Sequence, residues 1–323
     1  MHFVKVGVML SKIKSGIYTI DSHYAREQLA AVFMIIEGNQ VALVETANTK
    51  SLFYVQAELL KHGLTTHDVK YIFLTHIHLD HAGGAGAYMA EFPLAKLVVH
   101  PKGARHMVNP VKLEAGVIAV YGEKFVTEMY GKLSAIDVER IIIAEDGLEI
   151  NLNGRSLVCR DTPGHANHHN VIFDRKANVV FTGDIFGVAY PEFEVEGKTF
   201  TFPATTPVNF DPHKMERSID LIVGLQPEAV YLTHFGRQED VERIAIELKR
   251  IVKDYVQITL ECANENDIVA VIKSKLQEYM LNEIAKFGIV DLSNEMILQL
   301  LDMDLQINAQ GLAVWLKSFA KIN

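Results

Sequence analysis

A chain of 323 residues, 49% apolar and 22% charged, holds enough material for one large domain plus an appendage and can bury a core without disulfides or a structural metal. Its net charge of −9 is the wrong sign for a surface that neutralises phosphates, so nucleic acid is excluded as an expected partner. Two distant cysteines, Cys159 and Cys262, no signal-like pattern over residues 1–15 and no apolar run of roughly 18 residues lead to the expectation of a cytoplasmic protein with no membrane partner.

From residue 17 onward, short β-type runs alternate with Gly, Asn and Asp breaks. Residues 17–21, 31–37 and 40–45 read as strands, and Glu37-Gly-Asn-Gln40 is a hairpin turn signal. The apolar spacing of 51–62 predicts a helix stopped by a left-handed cap at Gly63. Strands follow at 69–75 and 95–100. Residues 102–129 are mainly helical and too long for a tight connection, so they are expected over a face or at a mouth. A β-rich block spans 140–184, broken by Glu145-Asp-Gly147 and by 151–154. The Pro-, Phe- and Thr-rich stretch 191–212 is expected to be irregular, 218–225 helical, and 229–233 a last strand. After that the β signal fades, and four amphipathic helices are predicted near 238–258, 265–286, 293–302 and 308–321. The boundary falls at about 237, dividing the chain into a catalytic unit over 1–237 and a helical C-terminal region over 238–323.

Four of the strands end in metal-capable words: Thr75-His-Ile-His-Leu-Asp-His81, Asp161-Thr-Pro-Gly-His165, Phe181-Thr-Gly-Asp184 and Tyr231-Leu-Thr-His234. Strand ends are rigid mounts, and a metal site needs ligand directions fixed in advance. In an extended stretch residues i and i+2 point the same way, so His76 and His78 can grip one ion. Asp80 and His81 sit where the chain turns into a helix over 82–90, aimed at a second position, and Gly83, Gly84 and Gly86 let that turn approach closely. Imidazole and carboxylate without thiolate suit Zn²⁺, Fe or Mn²⁺ in a hydrolytic site, whereas a structural zinc more often recruits cysteines. His2, His23, His62, His67, His106 and His213 stand outside these words and read as surface or packing residues.

The His76-x-His-x-Asp-His81 word followed in order by His165, Asp184 and His234 resembles the metallo-β-lactamase superfamily over about residues 15–237. That resemblance implies an α+β fold, an αββα sandwich with the all-α region appended. It implies two divalent cations, zinc first: one held by His76, His78 and His165, the other by Asp80, His81 and His234, with Asp184 bridging. Thr162-Pro-Gly-His165 followed by His169 is similar to glyoxalase II-like enzymes and places His169 behind the ligands as a supporting histidine. No Gly-Cys-Gly segment follows as in glyoxalase II, and Gly187 stands where acyl-homoserine lactonases carry a tyrosine. An added helical C-terminus is similar to the quinolone-signalling thioesterase branch.

The expected reaction is hydrolysis of an ester, thioester or lactone, a small-molecule carbonyl substrate, by a hydroxide bridging the two metals and oriented by Asp80 as the catalytic residue. Tyr121, Phe186, Tyr190, Phe193, Phe200 and Phe202 lie in segments that could line the mouth. Two other functions stay open: a mononuclear-iron persulfide dioxygenase-like redox enzyme, and a metal-binding regulator acting through its helical tail. Leu312, Trp315, Leu316 and Phe319 form a face expected to pack and partly lid the cleft, or to bury against a second copy in a homodimer.

Overall fold

The computed structural model describes residues 15–319. The start of the chain, His2 included, and the last residues of the predicted final helix lie outside the described residues. In chain order the elements are β1 (Ile17–Asp21), β2 (Ala31–Glu37), β3 (Gln40–Val44), α1 (Leu52–Lys61), β4 (Val69–Phe73), α2 (Leu79–Ala82), α3 (Ala85–Glu91), β5 (Lys96–Val99), α4 (Pro101–Val108), α5 (Val111–Tyr121), α6 (Glu123–Tyr130), β6 (Ile141–Ile143), β7 (Glu149–Leu152), β8 (Arg155–Asp161), β9 (Asn170–Asp174) and β10 (Val179–Gly183). They continue with a small ribbon, β11 (Glu194–Val195) and β12 (Lys198–Thr199), then α7 (Pro212–Gly224), β13 (Ala229–Leu232), β14 (Gly236–Gln238), α8 (Val241–Glu261), α9 (Ile268–Phe287) and α10 (Asn294–Phe319).

Among the described residues two six-stranded sheets form, ordered β1-β2-β3-β4-β5-β6 and β14-β13-β10-β9-β8-β7. The hairpin between β2 and β3 closes with Glu37 opposite Gln40, as the turn signal predicts. Strand β2 explains why the sheets stack. Its residues alternate, with Ala31, Phe33 and Ile35 in the core between the sheets and Val32 and Met34 in the core under the outer helices. A strand apolar on both faces must be covered on both. Phe33 meets Phe181 and Tyr231 of the other sheet at ring-centroid distances of 5.3 and 5.4 Å. Helices α1 to α6 cover the outer face of the first sheet, and α7 to α10 cover the second. The result is the expected αββα sandwich with a C-terminal helical region.

The structure corrects several sequence expectations. Helix α7 starts at Pro212 rather than near 218. Asp211 caps it by accepting from the Lys214 N–H at 3.0 Å, and Pro212 occupies the first turn, where a missing N–H costs nothing. After residue 237, among the described residues, three long helices stand where four are predicted, because the last two predicted stretches meet in one continuous helix, α10, over Asn294–Phe319. Its interior Gly311 marks a close approach, because a Cβ there would overlap the Thr205 carbonyl oxygen. The short β14 and the β11–β12 ribbon carry no pattern long enough to be read.

Candidate metal centre

The strand ends do converge. β4 runs straight into His76 and His78, and the His76 Nε2 and His78 Nδ1 atoms are 2.8 Å apart. His165, after β8, brings its Nε2 to 3.1 Å from the same His78 Nδ1. These three form one metal-capable group. Helix α2 begins directly after His78 and turns Asp80 and His81 to the other side, where Asp184 and His234 complete a second group. His81 Nε2 lies 3.5 Å from Asp80 Oδ2 and 3.2 Å from Asp184 Oδ1. His234 Nε2 lies 3.2 Å from Asp80 Oδ2 and 3.6 Å from Asp184 Oδ1. The other oxygen of Asp184, Oδ2, faces the first group, 3.5 Å from His165 Nε2. All seven predicted residues are therefore brought together, with one carboxylate between the groups.

Three of the five histidines have their outward ring nitrogen anchored to a carbonyl or carboxylate oxygen. The Nδ1–H of His165 donates to the Ala204 carbonyl at 2.9 Å, and that of His234 to the Leu29 carbonyl at 2.6 Å. His81 Nδ1–H donates to Glu45 Oε1 at 3.0 Å. A proton held on Nδ1 leaves the Nε2 lone pair facing inward, the arrangement by which outer partners orient metal-binding imidazoles. His169 is fully buried behind the site, its ring 5.0 Å from that of His76 and its Nδ1 2.9 Å from the Thr162 hydroxyl. The resemblance implies a histidine in such a place, and the Nε2 of His169 is buried there without a hydrogen-bond partner. His168 packs 5.5 Å from the His78 ring.

Glu45 is the residue sequence reading missed. It is fully buried at the end of β3 with φ +71, a conformation side chains rarely adopt. Its carboxylate also accepts from the Thr75 hydroxyl and from the Thr233 hydroxyl at 3.2 Å, each the residue before a site histidine. The next residue, Thr46, donates through N–H and hydroxyl to the His81 carbonyl at 2.9 and 2.7 Å. Gly84 completes the approach, since a Cβ would meet the Thr46 and Asn48 carbonyl oxygens at 2.6 and 2.7 Å. A strained, buried carboxylate with three side-chain donors is the kind of outlier that marks a functional site. An acid ending an apolar strand is too common to have announced it.

Electrostatically the groups differ. Burial, reinforced by neighbouring imidazoles, pushes the pKa values of His76 and His78 well down, and burial lowers that of His165. Burial also acts on His81 and His234, but the carboxylates of Asp184 and Asp80 outweigh it and hold both rings above the ordinary histidine value. Against the burial penalty, His81 and His234 keep Asp184 and Asp80 well below the usual carboxylate range. His81 Nε2 and Asp184 Oδ1 are close yet not aligned as a hydrogen bond, and both are buried without a partner. Unpaired buried polar atoms are costly unless something charged sits among them, and a divalent cation fits this donor set of imidazoles and carboxylates.

The remaining expectations divide. His23, His62, His67, His106 and His213 lie outside both groups. Phe186, Tyr190, Phe193, Phe200 and Phe202 are core residues, none more than 4% exposed, so they do not line a mouth. Their spacing reflects packing of the 185–202 segment under α8. The side chains of Tyr121 and Phe319 lie outside the described residues. Leu312 and Leu316 are buried, and Trp315 packs against the cluster that holds Leu312. No helix among the described residues is long and apolar enough to cross a membrane.

Residues 26–234 match the family model of the metallo-beta-lactamase superfamily. The chain is 29% identical over 171 residues to the metallo-beta-lactamase fold-containing protein ST1585 of Sulfurisphaera tokodaii, covering 51% of this chain and 60% of that protein. It is 25% identical over 163 residues to the beta-lactamase-like protein 2 homolog of Caenorhabditis elegans, covering 50% of this chain and 46% of the relative. The matched region thus spans about half the length of these curated relatives. In structure the chain is similar to the metallo-beta-lactamase family protein TTHA1429 of Thermus thermophilus, with a TM-score of 0.64, 20% identity and 94% of each chain covered. Coverage that complete takes in the helical region as well as the sandwich.

Proposed function

The chain belongs to the metallo-beta-lactamase superfamily, and on that footing we propose that it is a hydrolase of esters, thioesters or lactones working with two divalent cations, zinc first among them. His76, His78 and His165 would hold one cation, Asp80, His81 and His234 the other, and Asp184 both. The observation that supports this most directly is the split of one buried carboxylate: Asp184 turns Oδ2 toward His165 and Oδ1 toward His81 and His234. When bound, such a pair supplies Lewis acidity and lowers the pKa of water from about 15.7 toward neutrality.

The chain's own residues do the rest. Asp80, its side chain 27% exposed, is the solvent-reaching carboxylate of the second group. Held ionised by His81 and His234 against the burial penalty, it accepts a hydrogen bond from the attacking water and orients it toward the carbonyl carbon. Glu45 keeps His81 in the tautomer that presents Nε2. A thiol nucleophile has no part in this reading, since burial pushes the Cys159 thiol up to about 12. The net charge of −9 favours a carbonyl substrate over a phosphodiester, whose repeated negative charge such a surface repels.

A panel of a small thioester, an ester, a lactone and a phosphodiester, run with the zinc-loaded chain, tests the reading. We expect turnover of at least one carbonyl substrate and its loss in Asp184→Ala by about 100-fold or more. Turnover of the phosphodiester alone, oxygen consumption on a persulfide in place of hydrolysis, or an Asp184→Ala chain as active as the parent would overturn it.

A further inference from the structure

Helix α10 carries Asp304, Asn308 and Gly311 at spacings of four and three residues, so they form one stripe along the helix. Each meets a segment that runs behind the histidines of the site. The Asn308 amide oxygen accepts from the Thr205 N–H at 2.7 Å, and its Nδ2–H donates to the Pro203 carbonyl at 3.2 Å. The Thr205 hydroxyl donates to the Asn308 backbone carbonyl at 3.1 Å. Between those two anchored residues stands Ala204, whose carbonyl accepts the Nδ1–H of His165. Thr206, the next residue, donates its hydroxyl to the His165 backbone carbonyl at 3.0 Å. Gly311 lets the helix come this close, because a Cβ there would overlap the Thr205 carbonyl.

One turn earlier, the Asp304 carboxylate accepts from the Tyr190 hydroxyl at 3.0 Å. The residue before Tyr190, Ala189, donates its N–H to the His234 carbonyl at 2.5 Å. Helix α10 thus reaches one histidine of each group through two separate segments. A helix needed only for packing would place apolar residues along this stripe. Leu301, Leu305, Ala309 and Leu312 already do the packing, while Asn308, 2% exposed, and Thr205, fully buried, satisfy each other. Buried polar groups satisfied in this way fix relative position more sharply than apolar contact does.

We propose that α10 is a positioning element of the metal centre, and that Asn308 is the positioning residue that sets the His165 ring by fixing the 203–205 segment. The proposal rests on the reading of His76, His78 and His165 as a metal-holding group. Outer partners of metal-binding histidines typically change metal affinity by about 10–100-fold, so the helix should be felt as affinity and not as stability alone.

The test titrates Co²⁺ into the full chain, following visible absorption and competition with a chelator, for the parent, Asn308→Ala and Leu301→Ala. Asn308→Ala should bind one ion about 10–100-fold more weakly, with an altered visible spectrum, whereas Leu301→Ala, which thins the packing of the same helix without touching 203–205, should melt earlier yet bind within about twofold of the parent. If Asn308→Ala does not fold, Asn308→Ser, which puts a hydroxyl in the same space but cannot reach Pro203, should show a smaller loss in the same direction. Parent-like affinity and spectrum in the Asn308 variants, or equal weakening in Leu301→Ala, overturns the positioning role alone. A parent chain that binds no Co²⁺ overturns the metal reading and the positioning role together.

Discussion

At His81 and His234 the carboxylates of Asp184 and Asp80 outweigh burial and raise the pKa of both rings, while burial lowers those of His76, His78 and His165. Coordination takes the neutral ring, so an ion entering the second group competes with protons at a higher pH than one entering the first. The sign follows: a raised pKa makes the second ion's affinity fall first as pH falls. Elemental analysis after dialysis at successively lower pH should show the chain pass from two bound ions to one before the remaining ion is lost, and simultaneous loss of both would contradict this assignment. At this scale the seven clustered residues were legible because each ends a strand in a short, unusual word. Glu45 and Asn308 were not. Their roles come from contacts across more than thirty residues of chain: Glu45 with His81 and Thr233, and Asn308 with Thr205.

Strands were legible through alternation, as in β2, whose apolar residues serve both faces of its sheet. Helix ends were less so. α7 is longer than its apolar spacing predicts because its first turn, Pro212 to Met215, lacks an apolar stripe although its cap is plain in Asp211-Pro212. α10 is one helix where the spacing predicts two, because the predicted gap over 303–307, Met303-Asp-Leu-Gln-Ile307, alternates apolar and polar residues and so interrupts the helical period. Within the helix, Gly311 costs about 1 kcal/mol against alanine. What outweighs that cost is the approach to Thr205, which no local pattern displays. Gly311→Ala should accordingly destabilise the chain despite its better helix propensity. The overlap of a new Cβ with backbone is expected to cost about 1–3 kcal/mol net, visible as a lower denaturation midpoint. A stabilised Gly311→Ala chain would mean that the helix can back away freely.

Across the whole molecule, the division at residue 237 separates patterns rather than cores. Phe186, Phe202, Ile219 and Leu232 share one buried cluster with Leu248, Ile251, Tyr255, Leu276, Leu301 and Leu312. Fully burying such side chains stabilises by about 1.5–3 kcal/mol each, so losing the helical region would remove an amount comparable to a typical total stability of about 5–15 kcal/mol. A chain ending at 237 should therefore be unfolded or aggregated by circular dichroism and light scattering; cooperative melting of that fragment would show that the helices are dispensable to the sandwich. The sequence reading set the boundary by the loss of β signal, and periodicity has no means of reporting which surfaces a helix shares.

The central claim concerns seven side chains and one carboxylate common to two groups. Its most direct test is the metal content of the full chain, loaded with zinc, dialysed near pH 8 and measured by elemental analysis. Two zinc ions per chain is the result predicted by a carboxylate facing both groups. A chain that retains none, or that retains two after Asp184→Ala, contradicts it.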